Sequence, residues 1–276
     1  MIELFSYSFF QNALIAAILA AISCGIIGSY IVSKRMVFIS GGITHASFGG
    51  VGLGYLLGFN PLLGAGVFAI LSSSLVEFIR SKSSIREDSA IGMIWASGMA
   101  LGILFVSLTP GYAPDLMSYL FGDILTVSTN DLYWMTGITV LLSLIFILFH
   151  RVITAIAFDE SYAKTLQLPV KTINYVIAIL TALTIVINIR ISGIILVISL
   201  MTIPQATAQK LSQQLRYMML NAIWIGFIGI FSGLYFSYLL DIPSGASIIL
   251  SEIILFFIIQ IITGLMKSKK NTPKQN

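Results

Sequence analysis

The chain has 276 residues, of which 57% are hydrophobic and only 9% charged, with a net charge of +4. A soluble domain carries about 25% charged residues, and no water-soluble globule of this length hides so much apolar surface. The basic residues are spread between apolar runs and do not gather on one soluble face, which excludes a nucleic-acid binder and leaves a protein solvated by lipid.

A membrane-spanning helix needs about 20 mostly apolar residues. Nine segments qualify in chain order: Phe9–Val32, Ile43–Gly58, Leu62–Ile79, Ala90–Leu108, Leu132–Phe149, Ile173–Ile187, Ile191–Ala208, Met218–Leu239 and Ser244–Met266. The second and sixth are short for a full crossing. The first run lacks a basic region and a small-residue cleavage site and reads as a retained helix. Residues 1–266 form one transmembrane domain, followed by a polar tail over 267–276.

The loops predict orientation. Lys34 and Arg35 follow the first segment, Arg80, Lys82 and Arg86 the third, and Arg151, Lys164 and Lys171 the fifth. Lys210 and Arg216 follow the seventh, and Lys267, Lys269, Lys270 and Lys274 the ninth. With nine crossings all of these share one side, and only Arg190 falls on the other. Lys and Arg collect on the cytoplasmic side, so the N-terminus is expected outside and the C-terminus inside. The opposite loops carry Glu3, Asp115, Asp123, Asp131 and Asp241. They form either ordinary loop polarity or a weakly negative mouth that gathers cations.

The second segment carries the most chemistry. Gly42, Ala46, Gly50, Gly54 and Gly58 recur every four residues and place a stripe of very small side chains along one helix face. Such stripes let helix backbones approach closely in a membrane, so this helix is expected to be central. His45 lies on an adjacent face, flanked one turn away by Gly41 and Gly49. Two readings fit it: a weak, transient ligand for a zinc-like metal on a transport path, or a packing histidine bonded to a neighbouring carbonyl. Residues 157–170 read as a short amphipathic helix outside the membrane, with Asp159 and Glu160 at its start and Pro169 at its end. It suits either docking to a cytoplasmic partner or lying on lipid headgroups. In the seventh segment Pro204 frees a backbone carbonyl near Thr202, Gln205 and Thr207, which suits a pathway lining or a structural kink equally. Glu252 is a further charge within a span.

The absences narrow the class. No G-x-x-x-x-G-K-[ST] loop is present, so this chain does not bind ATP in that way. His45 and His150 are the only histidines and Cys24 the only cysteine, so neither an H-E-x-x-H site nor a disulfide can form. No catalytic constellation is evident.

Five pieces in order resemble the permease subunits of bacterial zinc and manganese ABC importers. They are Gly42-Ile-Thr-His-Ala46, Asp115-Leu-Met-Ser-Tyr-Leu-Phe-Gly122, Ala157-Phe-Asp-Glu160 with Ala163 and Leu166, Ile203-Pro-Gln-Ala-Thr-Ala208, and Ile242-Pro-Ser-Gly-Ala-Ser-Ile248. The resemblance implies an all-α permease with the type II fold of vitamin B12 importers, working as a homodimer. It implies two cytoplasmic ATPase subunits that bind the ATP, an extracytoplasmic metal-binding protein, and no cofactor in this chain. It casts Phe158, Asp159, Glu160, Ala163, Lys164, Leu166 and Gln167 as the segment that meets the ATPase. It also implicates an Asp and a His four residues apart in the metal path. Here the His is His45, but the Asp position is Gly41, and Gln167 stands where the family commonly has Gly. Loss of a carboxylate handicaps manganese more than zinc, so zinc is the expected cargo. The alternatives are a siderophore- or cobalamin-type permease on the same fold and a secondary transporter driven by an ion gradient. No internal repeat of the kind a secondary transporter shows is evident.

Overall fold

The computed structural model describes residues 7–82, 85–110, 122 and 124–270, apart from the side chains of 190, 191 and 267–270. Glu3, Asp115, Asp123 and the 115–121 part of the second motif lie outside the described residues. The regular elements are helical: α1 Ser8–Ser33, α2 Val37–Leu57, α3 Pro61–Lys82, α4 Glu87–Ser107, α5 Thr129–Leu148, α6 His150–Phe158, α7 Glu160–Thr165, α8 Val170–Leu200, α9 Ile203–Leu211, α10 Leu215–Leu240 and α11 Ser244–Lys270.

Eight stretches are long and apolar enough to cross a membrane, and they match eight of the nine segments expected from the sequence. The ninth is α2, whose 21 residues are interrupted by glycine and serine. At about 1.5 Å per residue it still spans the roughly 30 Å of a hydrocarbon core.

Two expected boundaries need correction. The second helix begins at Val37 and not at Ile43, so Ser40, Gly41 and Gly42 are helical. Glycine weakens an isolated helix by about 1 kcal/mol, but here these residues are buried against neighbouring helices that hold the backbone. The sixth segment is also longer than expected. Val170–Ile189 and Ser192–Leu211 are the two apolar stretches, parted at Gly193, where φ is 68° and ψ is 172°. That left-handed conformation costs an L side chain energy that glycine avoids.

Helix starts follow local chemistry. Pro61 opens α3, and the Asn60 side chain accepts from Leu62 N at 2.9 Å. Ser128 and Asp131 form a reciprocal capping box at the start of α5, which gives Asp131 a structural use.

The core lies around α2, which packs most extensively against α4 and α3. The backbones of Gly50 and Gly64 touch across the α2–α3 contact. A methyl group added at Gly49 would lie 2.7 Å from Phe68 Cε1 and 2.9 Å from Gly98 O. One at Gly52 would lie 2.6 Å from Gly102 O in α4. Gly42 meets Ile91, Ala46 meets Gly98, and Gly54 meets Pro61. Gly58 sits just past the helix as a left-handed cap, with φ at 71°. The small residues thus do what lipid-driven packing requires: helices gain dispersion contacts by bringing backbones together.

Candidate functional site

His45 projects from α2 toward α4 and is partly buried. Its ring stacks on Trp95 with centroids 4.3 Å apart and planes 9° from parallel. Its Nδ1 is buried with no hydrogen-bond partner. An unpaired buried polar atom costs about 1–3 kcal/mol, a cost that a bound partner at this nitrogen would remove. Gly41, one turn earlier on α2, faces the same wall. A Cβ there would meet Trp95 Cζ3 at 3.7 Å and Ile198 Cδ1 at 3.9 Å, both ordinary contacts. The space beside Gly41 is therefore bounded by an indole and an aliphatic chain, with room for a Cβ. Among the described residues no three His, Cys, Asp or Glu side chains gather to hold a metal. This arrangement can offer one imidazole nitrogen briefly to a passing ion.

Pro204 and Gln205 lie away from that wall. Pro204 stands in the first turn of α9, where its missing N–H costs nothing. Gln205 is fully buried, and its Nε2 donates to Cys24 O at 2.9 Å and to Leu200 O at 2.8 Å. It thereby ties α9 to α1 and to the end of α8. Glu252 of α11 is fully buried too, and Ser199 Oγ donates to its Oε2 at 2.6 Å.

The 157–170 segment divides into the end of α6, the short α7 and the start of α8. Asp159 caps α7, accepting from Tyr162 N at 2.9 Å. Ala163 is buried, whereas Phe158, Tyr162 and Leu166 leave an exposed apolar ridge beside Lys164. Gln167 adopts φ 56°, a left-handed conformation that glycine occupies without strain. The resemblance's usual Gly at this place thus has a backbone reason.

Glu160 turns inward from α7 to the ends of three other helices. Its Oε2 accepts from Lys34 Nζ at 3.0 Å and from Arg80 Nη1 at 2.9 Å. Its Oε1 accepts from Asn174 Nδ2 at 3.4 Å and lies 3.4 Å from Lys164 Nζ. Arg80 also grips Glu77 through a two-pronged pair at 2.9 Å, and Tyr30 Oη donates to Asn174 Oδ1 at 3.3 Å. A cavity of about 30 Å³ borders the cluster, enough for a water or two. Burial works to raise the Glu160 pKa, but the hydrogen bonds from Lys34 and Arg80 outweigh it and hold the carboxyl at about 2. Burial draws the Lys34 ammonium below its ordinary value, a fall that its bond to Glu160 only partly offsets.

Comparison with known proteins settles the lineage. A profile of the ABC 3 transport family matches residues 6–263. The chain belongs to this family. It is 42% identical over 258 residues to an uncharacterized membrane protein of Synechocystis, covering 94% of this chain and 92% of that one. It is 37% identical to the manganese transport system membrane protein MntC of Halalkalibacterium halodurans, covering 92% and 87%. Among solved structures, PsaBC from Streptococcus pneumoniae in complex with Fab matches with a TM-score of 0.83 and 31% identity over 94% of this chain and 95% of that one.

As an ABC 3 family protein, the chain is an all-α permease of the cell membrane with the fold of ABC importers. Two site features were missed in the sequence: Trp95 as the partner of His45, and the Lys34–Glu160–Arg80 cluster. Trp95 did carry a signal. Tryptophan favours the membrane interfaces, yet Trp95 lies well inside the span Glu87–Ser107. Nothing local marks Glu160 as the partner of residues 126 and 80 positions earlier.

Proposed function

We propose that this protein is the membrane subunit of an ATP-driven importer that brings a divalent metal ion into the cytoplasm, with zinc the favoured cargo. The N-terminus lies outside and the C-terminus inside. Two copies pair in the membrane, two separate ATPase subunits dock on the 157–168 segment, and an extracytoplasmic binding protein delivers the metal to the outer loops. ATP-driven closure of the ATPases moves that segment and switches the open side of the path. Metal passes His45 on its way in.

The observation that carries this reading is His45, a stacked imidazole with an unpaired buried Nδ1, in a helix buried along most of its length in an ABC 3 family permease. Family membership supports the transporter class, and the relatives named as a manganese transport system membrane protein in Halalkalibacterium halodurans and a manganese import system permease protein in Streptococcus parasanguinis support a permease with metal cargo. Those names favour manganese as a second reading. Gly41 argues for zinc, because manganese prefers oxygen ligands and zinc accepts imidazole.

The test is uptake of zinc and manganese by the complete transporter in proteoliposomes. His45→Ala should lower uptake about tenfold, the scale of a lost ligand in a weak site, while the ATPase still docks. Gly41→Asp should shift preference toward manganese, since it adds an oxygen ligand one turn from His45 at a position where a Cβ makes only ordinary contacts. Unchanged uptake in His45→Ala discards the pathway role, and uptake without any ATPase discards the ATP-driven reading.

A further inference from the structure

The short helix α7 packs chiefly against α6 and α8, its neighbours in sequence. Among the described residues, its hydrogen bonds to the opposite half of the bundle come from a single side chain. Glu160 reaches Lys34, directly after α1, at 3.0 Å and Arg80, in the last turn of α3, at 2.9 Å. Only Arg35 and Met36 separate Lys34 from the start of α2. Arg80 is braced in turn by Glu77, so its guanidinium is held in place and is not free to swing with Glu160. The glycine contacts described above leave α2, α3 and α4 little freedom to slide on one another. The unit that carries His45 is therefore gripped at two points by one carboxylate of α7.

We infer that Glu160 is the positioning residue that couples the movement of α7 to the α2–α4 unit. A displacement of α7 pulls on Lys34 and Arg80 together. Lys34 leads through two residues into α2 and Arg80 lies in the last turn of α3, which packs on α2, so the pull reaches His45 as a shift of a rigid body. Charge-assisted bonds suit this task, since they are short and roughly twice as strong as neutral ones. The partial burial of the cluster limits screening by salt. Asn174, bonded to Glu160 and Tyr30, adds the start of α8 to the same node. The inference rests on the proposed role of the 157–168 segment as the ATPase contact, but its structural core can be tested without any ATPase.

The first experiment uses the purified permease alone. Nitroxide labels at Tyr162→Cys on α7 and Phe78→Cys on α3, both exposed positions, are placed in a Cys24→Ser background. Pulsed electron resonance should give a narrow distance distribution that broadens when Glu160→Gln is added. Arg80→Gln should broaden it similarly, and the double variant should be no broader than either, because the two residues act through one bond. An unchanged width in both single variants overturns the node.

The second experiment uses the complete transporter. Arg80→Gln, outside the docking segment, should keep the ATPase bound and hydrolysing within about twofold of wild type, while metal moved per ATP falls about tenfold, within the range of known coupling energies. Equal loss of hydrolysis, assembly and uptake marks a merely structural role and overturns the inference, as does wild-type metal per ATP. A wild-type complex with no ATP-driven uptake instead sinks the proposed function, and the label experiment still decides the node.

Discussion

Replacing Gly50 by Ala tests the packing on which the site depends. The added methyl would collide with the Gly64 backbone of α3. A backbone cannot rotate aside as a side chain does, so α2 and α3 must separate. Overpacking of this kind costs about 1–3 kcal/mol. Gly137 on α5 is the matched control, because a Cβ there meets nothing within 4 Å. At that position the better helix propensity of Ala gains up to about 1 kcal/mol. That gain is common to both helix interiors, so the two variants should differ by the overpacking cost, roughly 1–3 kcal/mol, or on the order of 2–10 °C in apparent melting temperature for a chain of this size. The assay is thermal unfolding of both proteins in the same detergent at one scan rate, since membrane-protein unfolding is commonly irreversible. If Gly50→Ala melts as high as Gly137→Ala, α2 is not jammed between its neighbours and the rigid unit carrying His45 does not exist.

Two further outcomes follow from the cytoplasmic-end geometry. Gln167→Gly relieves the φ of 56° but adds freedom to the unfolded chain, so it should raise stability by no more than about 1 kcal/mol, seen as a small rise in melting temperature; a fall would show that the Gln side chain is needed. Glu160 is held at about 2 against an ordinary 4.5, so its ion pairs add stability above about pH 4.5 and lose it as pH falls toward 2. The melting-temperature gap between wild type and Glu160→Gln should persist from neutral pH to about pH 5 and then narrow. A gap that closes above pH 5, or one that stays constant on further acidification, would refute the pairing.

Composition and periodicity alone determined the membrane setting, the approximate positions of the apolar segments and the stripe of small residues on the second. These are local properties: about twenty apolar residues in a row, or a glycine every fourth position, are legible wherever the chain goes. His45 stood out for the same reason, as an imidazole in an apolar run. Tertiary structure decided what each of these touches. The stripe predicted close approach, but only the packing showed that Gly50 meets α3 while Gly52 and Ala46 meet α4. The start of α2 was misjudged because the apolar run begins at Ile43, whereas the helix extends back to Val37 where neighbouring helices bury Ser40, Gly41 and Gly42. Trp95 over His45, Gln205 on the Cys24 carbonyl, and Glu160 between Lys34 and Arg80 join residues 50 to 181 positions apart. Side-chain periodicity repeats within a helix and fades beyond it, so the pairing of distant faces is settled only when the helices pack and their polar groups must find partners away from water.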